Sequence, residues 1–207
     1  MWRADAEQLA EQWRAALPFP HVVIDDVVAQ ADLDAMMAVL DEEPVQPAIS
    51  DIFAFEATTP EPTTPAFREL RESFARDLAP VFSQAFGRPV SRVDMRAYAY
   101  RPGHYLLPHT DHQAGLGRVY AYAYYLPAQP AVFPAGRSES GPLLLGGELE
   151  LYRCRSDGGE LVDIASARRI VPRPNRLVVF EVGDHSLHQV REVLGGLRIS
   201  LAGWFYP

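Results

Sequence analysis

Residues 184–206 read DHSLHQVREVLGGLRISLAGWFY, and their patterning decides the fold. In the last ten, LRISLAGWFY, the period of two puts Arg198, Ser200, Ala202 and Trp204 on one face of a strand. Segments of the same kind precede it: Val90–Tyr100, Tyr105–His109, Arg118–Leu126, Glu148–Tyr152, Glu160–Ile164, Leu177–Val182 and His188–Val193. All are short, alternating or β-branched, and divided by Gly, Pro or Asn. Eight such segments in succession predict a sandwich or barrel.

Upstream, the periodicity is helical. Leu9, Trp13, Ala16 and Leu17 mark a helix within 4–17, stopped by Pro18 and Pro20. HVVIDDVV (21–28) is β-rich, and LDAMMAVLDEE after Asp32 reads as a second helix. Residues 44–65 hold five prolines and read as a loop. Thr64-Pro65 then opens a third helix, with Thr64 as N-cap, that runs to about Phe86 and stops at Gly87. Helices first and strands after predict an α+β fold with helices packed on one side of a β core. The expected organisation is one domain over 1–207, with mainly helical support in 1–88 and the barrel in 89–207. The proline-rich stretch Pro127–Pro142, or 127–145 with its flanks, reads as a long loop over the barrel mouth.

Composition removes several function classes. A net charge of −8 gives no electrostatic footprint for nucleic acid. All 19 basic residues are arginine, so no lysine Schiff base or lysine general base exists. The single cysteine, Cys154, excludes an internal disulfide framework and Cys-rich metal sites, and fits a cytoplasmic setting. No apolar run is long enough for a membrane helix, and the charged, amphipathic MWRADAEQLAEQW is not expected to be a signal peptide.

Two histidine groups carry the chemistry: HTDH (109–112) and DHSLH (184–188). Residues i and i+2 of a strand share a face, so His109 and Asp111 can chelate one metal. His188, opening a later strand, is the candidate third ligand. Two imidazoles and one carboxylate on one face of an octahedron leave three positions open, the arrangement of non-haem Fe(II) oxygenases. HxD alone also occurs as a surface turn, and Arg198 alone could be an ordinary exposed strand residue. Taken together, ten residues after His188, an inward Arg198 calls for an anionic partner, such as a dicarboxylate lying between metal and guanidinium.

HTD (109–111), SLHQV (186–190) and RIS (198–200) resemble the iron and 2-oxoglutarate motifs of the prolyl-4-hydroxylase-like dioxygenases. GGELELY (146–152), PNRLVVFEV (174–182) and RISLAGWFY (198–206) are similar to the branch containing the ribosomal-protein prolyl hydroxylases. The resemblance covers about 90–206 and, more loosely, FPHVVIDDVV (19–28). It implies a double-stranded β-helix (jelly-roll) core and a need for Fe(II), O2 and 2-oxoglutarate, with ascorbate allowed as a reductant. Carried over, His109, Asp111 and His188 bind iron, while Arg198 and Tyr125, sixteen residues after His109, bind the far carboxylate of 2-oxoglutarate. Tyr100 matches a tyrosine near the metal end, Ser200 follows Arg198 on the same face, and Trp204 walls the co-substrate pocket. Asp111 favours hydroxylation, since the halogenating variant of such sites replaces the carboxylate with a small residue. The ribosomal hydroxylases carry a second, degenerate barrel; this chain ends two residues after its WF, so that domain is expected to be absent and their substrate is not carried over.

The expected activity is hydroxylation of a prolyl or similar residue in a peptide or protein. The alternatives are a hydroxylase of a free amino acid or natural product, and a metal-binding jelly roll without turnover. His104, His112 and His185 are read as loop histidines or, alternatively, as substrate or outer contacts. Arg168, Arg169, Arg173 and Arg176 read as a solvated turn or an anion patch. Cys154 reads as a packing residue. Tyr120, Tyr122 and Tyr124 are expected to pack the sheet face opposite Tyr125.

Overall fold

A computed structural model describes residues 2, 5–128, 144–157 and 160–207. The helices are α1 (Ala6–Ala15), α2 (Gln30–Asp41) and α3 (Pro65–Phe86). The strands are β1 (His21–Ile24), β2 (Val45–Ile49), β3 (Phe53–Thr58), β4 (Arg92–Val93), β5 (Arg96–Tyr100), β6 (Tyr105–His109), β7 (Tyr120–Leu126), β8 (Leu145–Gly146), β9 (Leu149–Asp157), β10 (Glu160–Ile170), β11 (Arg176–Glu181), β12 (His188–Val190), β13 (Val193–Gly195) and β14 (Arg198–Tyr206). One antiparallel sheet runs in the order β1-β11-β7-β14-β5-β3-β6-β12-β9-β10.

That sheet curls upon itself. Leu149, Leu151 and Ile170, near one end of the order, pack with Ala121, Ala123, Tyr125, Val178 and Phe180, near the other. This apolar interior is the jelly-roll cavity that holds the site. The outer face of β7, β11 and β14 carries Tyr120, Tyr122, Tyr124, Leu177, Val179, Leu201 and Phe205, which pack against α1, α2 and α3. The tyrosines therefore alternate as expected, with Tyr125 alone turned inward.

Local signals explain the helices. Asp5 caps α1 through its carboxylate, and Thr64 accepts from Phe67 N at the start of α3, where Pro65 needs no donor. Gly87 closes α3 at φ 81°, a left-handed conformation that glycine adopts without strain.

The loop expected over 44–65 is instead the β2–β3 hairpin plus a short connection. Strand β3 sits inside the sheet between β5 and β6, so residues 1–88 are more than a helical support. Proline hid it: Pro47 lies in β2, which pairs only with β3, and an unpaired strand edge tolerates a missing N–H. The predicted strand 90–100 breaks between Val93 and Arg96, and the strand begun at Glu160 runs on to Ile170. The central part of the predicted 127–145 loop, 129–143, lies outside the described residues.

On the outer face of β9, Glu150 is buried to 1% exposure. Its carboxylate accepts from Ser166 Oγ, Gln189 Nε2 (2.6 Å), Arg191 Nη1 (2.9 Å), Arg169 Nε (3.0 Å) and Tyr152 Oη (3.2 Å). These donors tie β10 and β12 to β9. Burial alone would raise the Glu150 pKa, but the donors together outweigh it and hold the group at about 2. A depressed carboxylate contributes stability above its ordinary pKa and loses it as pH falls towards the folded value. Between pH 7 and pH 3 the wild type is expected to lose about 2 kcal/mol more than Glu150→Gln. Urea unfolding of both proteins at the two pH values checks this; equal losses would contradict the assignment.

Candidate active site

Strands β6 and β12 are antiparallel neighbours, and His109 and His188 stand opposite each other in their register. Their rings lie 4.3 Å apart, with Phe180 against the His188 ring at 4.6 Å. Asp111 follows two residues beyond His109. Its Oδ1 is 3.8 Å from His109 Nε2, and its Oδ2 is 3.5 Å from His188 Nε2. One ligand atom from each of the three falls within 4.8 Å of the others, and this is the only such cluster among the described residues.

Both imidazoles are oriented by the backbone. His109 Nδ1 lies 2.9 Å from Leu107 O, and His188 Nδ1 lies 2.9 Å from Ser186 O. A ring nitrogen facing a carbonyl must carry the proton, which leaves each Nε2 lone pair aimed at the shared point. Burial lowers the His188 pKa, so its neutral, ligating form is the stable one. Two imidazoles and a carboxylate make a donor set suited to a divalent ion with open positions.

Arg198 is 97% buried, so its charge needs partners. Nη1 donates to Ser200 Oγ at 3.2 Å. The guanidinium lies between the rings of Tyr100 and Tyr125, 4.8 and 4.9 Å from their centroids. Arg198 Nε and Tyr125 Oη are buried yet have no hydrogen-bond partner among the described residues. Two orphaned donors side by side in an apolar cavity fit one end of an anion, as the predicted dicarboxylate requires. Gly147 makes room for this arginine. A Cβ there would sit 3.0 Å from Arg198 Cδ, and its φ of 71° also favours glycine.

Both groups open into one cleft of about 410 Å³, lined by the triad, Arg198, Ser200, Tyr100, Phe53, Phe55, Arg118 and Trp204 among others. Tyr100, expected near the metal end, has its ring on the Arg198 guanidinium. Trp204 lines the cleft six residues along β14 from Arg198, about 20 Å at strand spacing, so it walls the end away from that arginine.

Arg118 was missed in the sequence. Its guanidinium lies 3.5 Å over the Trp204 ring, and Nη1 donates to Asp111 O at 3.2 Å. Arg118 Nε is buried without a partner among the described residues. The signal available was thin: an arginine opening a predicted strand seven residues after Asp111.

The other histidines stay outside the cluster. His112 Nδ1 bonds Asp184, clipping one ligand-bearing segment to the other. His185 contacts Glu181 at 3.2 Å, and His104 Nδ1 is buried without a partner among the described residues. The arginine run is largely spent on internal contacts, with Arg176 on Asp25, Arg169 on Glu150 and Arg168 on His21. Cys154 is half-buried, and burial raises its thiol pKa.

A family model described as 2OG-Fe(II) oxygenase superfamily matches residues 95–206. Prolyl 3-hydroxylase OGFOD1 of Xenopus laevis is 31% identical over 205 residues, covering 92% of this chain and 35% of that protein. The chain thus spans about a third of the length of the curated relatives it matches. Among solved structures, a Pseudomonas putida prolyl-4-hydroxylase superposes with a TM-score of 0.67 at 21% identity, over 96% of this chain and 98% of that one. A Burkholderia pseudomallei 2OG-Fe(II) oxygenase family oxidoreductase gives a TM-score of 0.70 at 15% identity, over 99% and 92%. The two structures support the predicted jelly roll.

Replacing His109, Asp111 or His188 by Ala is expected to abolish both turnover and calorimetric Mn(II) binding while leaving the barrel folded. Retention of both by two of the three variants would overturn the ligand set. Arg198→Ala leaves a carboxylate unpaired, a loss of roughly 2–5 kcal/mol. At about 1.4 kcal/mol per tenfold, 2-oxoglutarate binding should weaken on the order of 30- to 4,000-fold, with metal binding nearly unchanged. Arg198→Lys should recover only part, because an ammonium lacks the planar fork. Wild-type affinity in Arg198→Ala would remove the arginine from the co-substrate site.

Proposed function

The chain belongs to the 2OG-Fe(II) oxygenase superfamily, and from that membership we propose that it hydroxylates a prolyl residue within a peptide or protein, in a cytoplasmic setting. His109, Asp111 and His188 would hold the iron, and Arg198, Ser200 and Tyr125 the 2-oxoglutarate. When bound, iron with 2-oxoglutarate and O2 supplies oxidation of an unactivated C–H bond, with succinate and CO2 released. The protein's own part is to bind, orient and exclude water.

The observation that carries the peptide reading is the Arg118–Trp204 platform. The Trp204 indole next to Asp111 can seat a saturated ring, and the Arg118 guanidinium stacked on it, whose Nε has no partner among the described residues, can donate to a backbone carbonyl beside it. A prolyl residue offers that pairing: a ring without an N–H donor and a flanking carbonyl. The names of the relatives point the same way.

Mass spectrometry of proline-containing peptides incubated with Fe(II) and 2-oxoglutarate tests the reading. A gain of one oxygen on a prolyl residue is expected, with free proline a poor substrate. Oxidation of free amino acids alone would overturn it. Arg118→Gln should raise the peptide KM about tenfold, for loss of one charge-assisted hydrogen bond, with 2-oxoglutarate affinity kept.

A further inference from the structure

Strand β12 pairs with β9 only from Leu149 to Leu151, whereas β9 and β10 remain paired out to Asp157 and Glu160. Because Leu151 is the register partner of His188, the β9–β10 hairpin stands past the last metal ligand. Strand β10 is the edge of the sheet and is exposed from 162 to 169.

The register of β9 runs without interruption from Leu149 to Arg155; both irregularities of the pair insert a residue in β10. Alternation therefore puts Arg153 and Arg155 on the face of Leu149 and Leu151. That face turns into the barrel, since Leu149 lines the cleft and Leu151 is fully buried. The cleft wall is thus continued, beyond the ligands, by two exposed arginines that make no ion pair among the described residues. Ala165 stands opposite Arg153, and Asp163 opposite Arg155, so Arg153 has the freer guanidinium. At strand spacing they lie about 7 and 13 Å past the level of His188.

We infer that the inner face of this hairpin is a docking arm for acidic side chains two to four residues from the oxidised residue of a peptide. The inference rests on the peptide reading above. An extended peptide with its target at the metal presents alternate side chains at those two levels. Two guanidiniums suited to bidentate carboxylate contact face them. The chain's net charge of −8 repels acidic peptides elsewhere, so attraction at this arm discriminates.

The test uses fluorescein-labelled peptides with one central proline and Asp, Asn or Lys at the second and fourth positions on both sides. Anisotropy reads binding, and mass spectrometry reads hydroxylation. The Asp peptide is expected to bind about tenfold tighter than the Lys peptide at low salt, with the gap shrinking as salt rises. Arg153→Gln with Arg155→Gln should erase the preference, the double Glu variant should reverse it, and Asp163→Asn should widen it. Conversion of 2-oxoglutarate without peptide should be unchanged throughout, which reports an intact site. No charge preference, or one that survives the double Glu variant, overturns the arm. Acid-selective binding without hydroxylation supports the arm and overturns the prolyl reading. Hydroxylation without selectivity does the reverse.

Discussion

His109 and His188 face each other across two antiparallel strands, and the register of that pairing holds the site together. Side chains alternate with a period of two, so a slip of one residue would turn His188 out of the barrel and bring Gln189 in. The short strand β12 has few ladder bonds of its own to resist such a slip. Resistance comes from the outer face, where Gln189 and Arg191 converge on buried Glu150. Their alternation with His188 and Val190 makes inner and outer faces a single constraint. The turn before β12 adds to it: Ser186 Oγ accepts from Gly183 N at 2.9 Å and donates to Gly183 O at 2.7 Å. The His112–Asp184 contact then ties that turn to the segment holding Asp111.

A site built this way is prepared before its ligands arrive. Arg198 Nε, Tyr125 Oη, Arg118 Nε and Trp204 Nε1 are all buried and unpartnered among the described residues. Each such atom costs roughly 1–3 kcal/mol of stability until something fills it. The apolar interior and the helix-backed face of β7, β11 and β14 offset that cost. The same desolvation that makes these groups expensive strengthens what they bind.

The metal triad was legible because strand periodicity puts His109 and Asp111 on one face and the resemblance to the dioxygenase motifs adds His188. His109 and Asp111 are neighbours in sequence, and His188 and Arg198 keep a spacing set by one connection between strands. The outward tyrosines followed from alternation, and Tyr125 from the resemblance to the dioxygenase motifs. Arg118 was not legible, since its role depends on stacking against Trp204 from a distant strand. Nor was Glu150, which reads as a routine exposed strand acid until Ser166, Arg169, Gln189 and Arg191 close over it. The β2–β3 hairpin was hidden because prolines that argue for a loop are also tolerated on a sheet edge, and edge position is a tertiary fact.

Strand β14 does more than carry Arg198. The same face bears Ser200 and Ala202 and ends at Trp204, so one element spans the buried Arg198 and the Arg118–Trp204 stack. Its middle is fixed by β7 on one side, where Ser200 pairs with Tyr125 and Trp204 with Ala121, and by β5 on the other. The Trp204 end is held by Asp94, whose Oδ1 accepts from Trp204 N at 2.6 Å and whose Oδ2 accepts from Tyr206 Oη at 2.8 Å. Asp94 comes so close that a Cβ on Gly203 would lie 2.4 Å from its carbonyl oxygen. Glycine at 203 is therefore what lets the carboxylate reach the Trp204 backbone. A strand paired from Arg198 to Phe205 acts as a ruler: the distance from Arg198 to the Arg118–Trp204 platform is set by backbone geometry. The span between these two parts of the cleft is then a property of the fold.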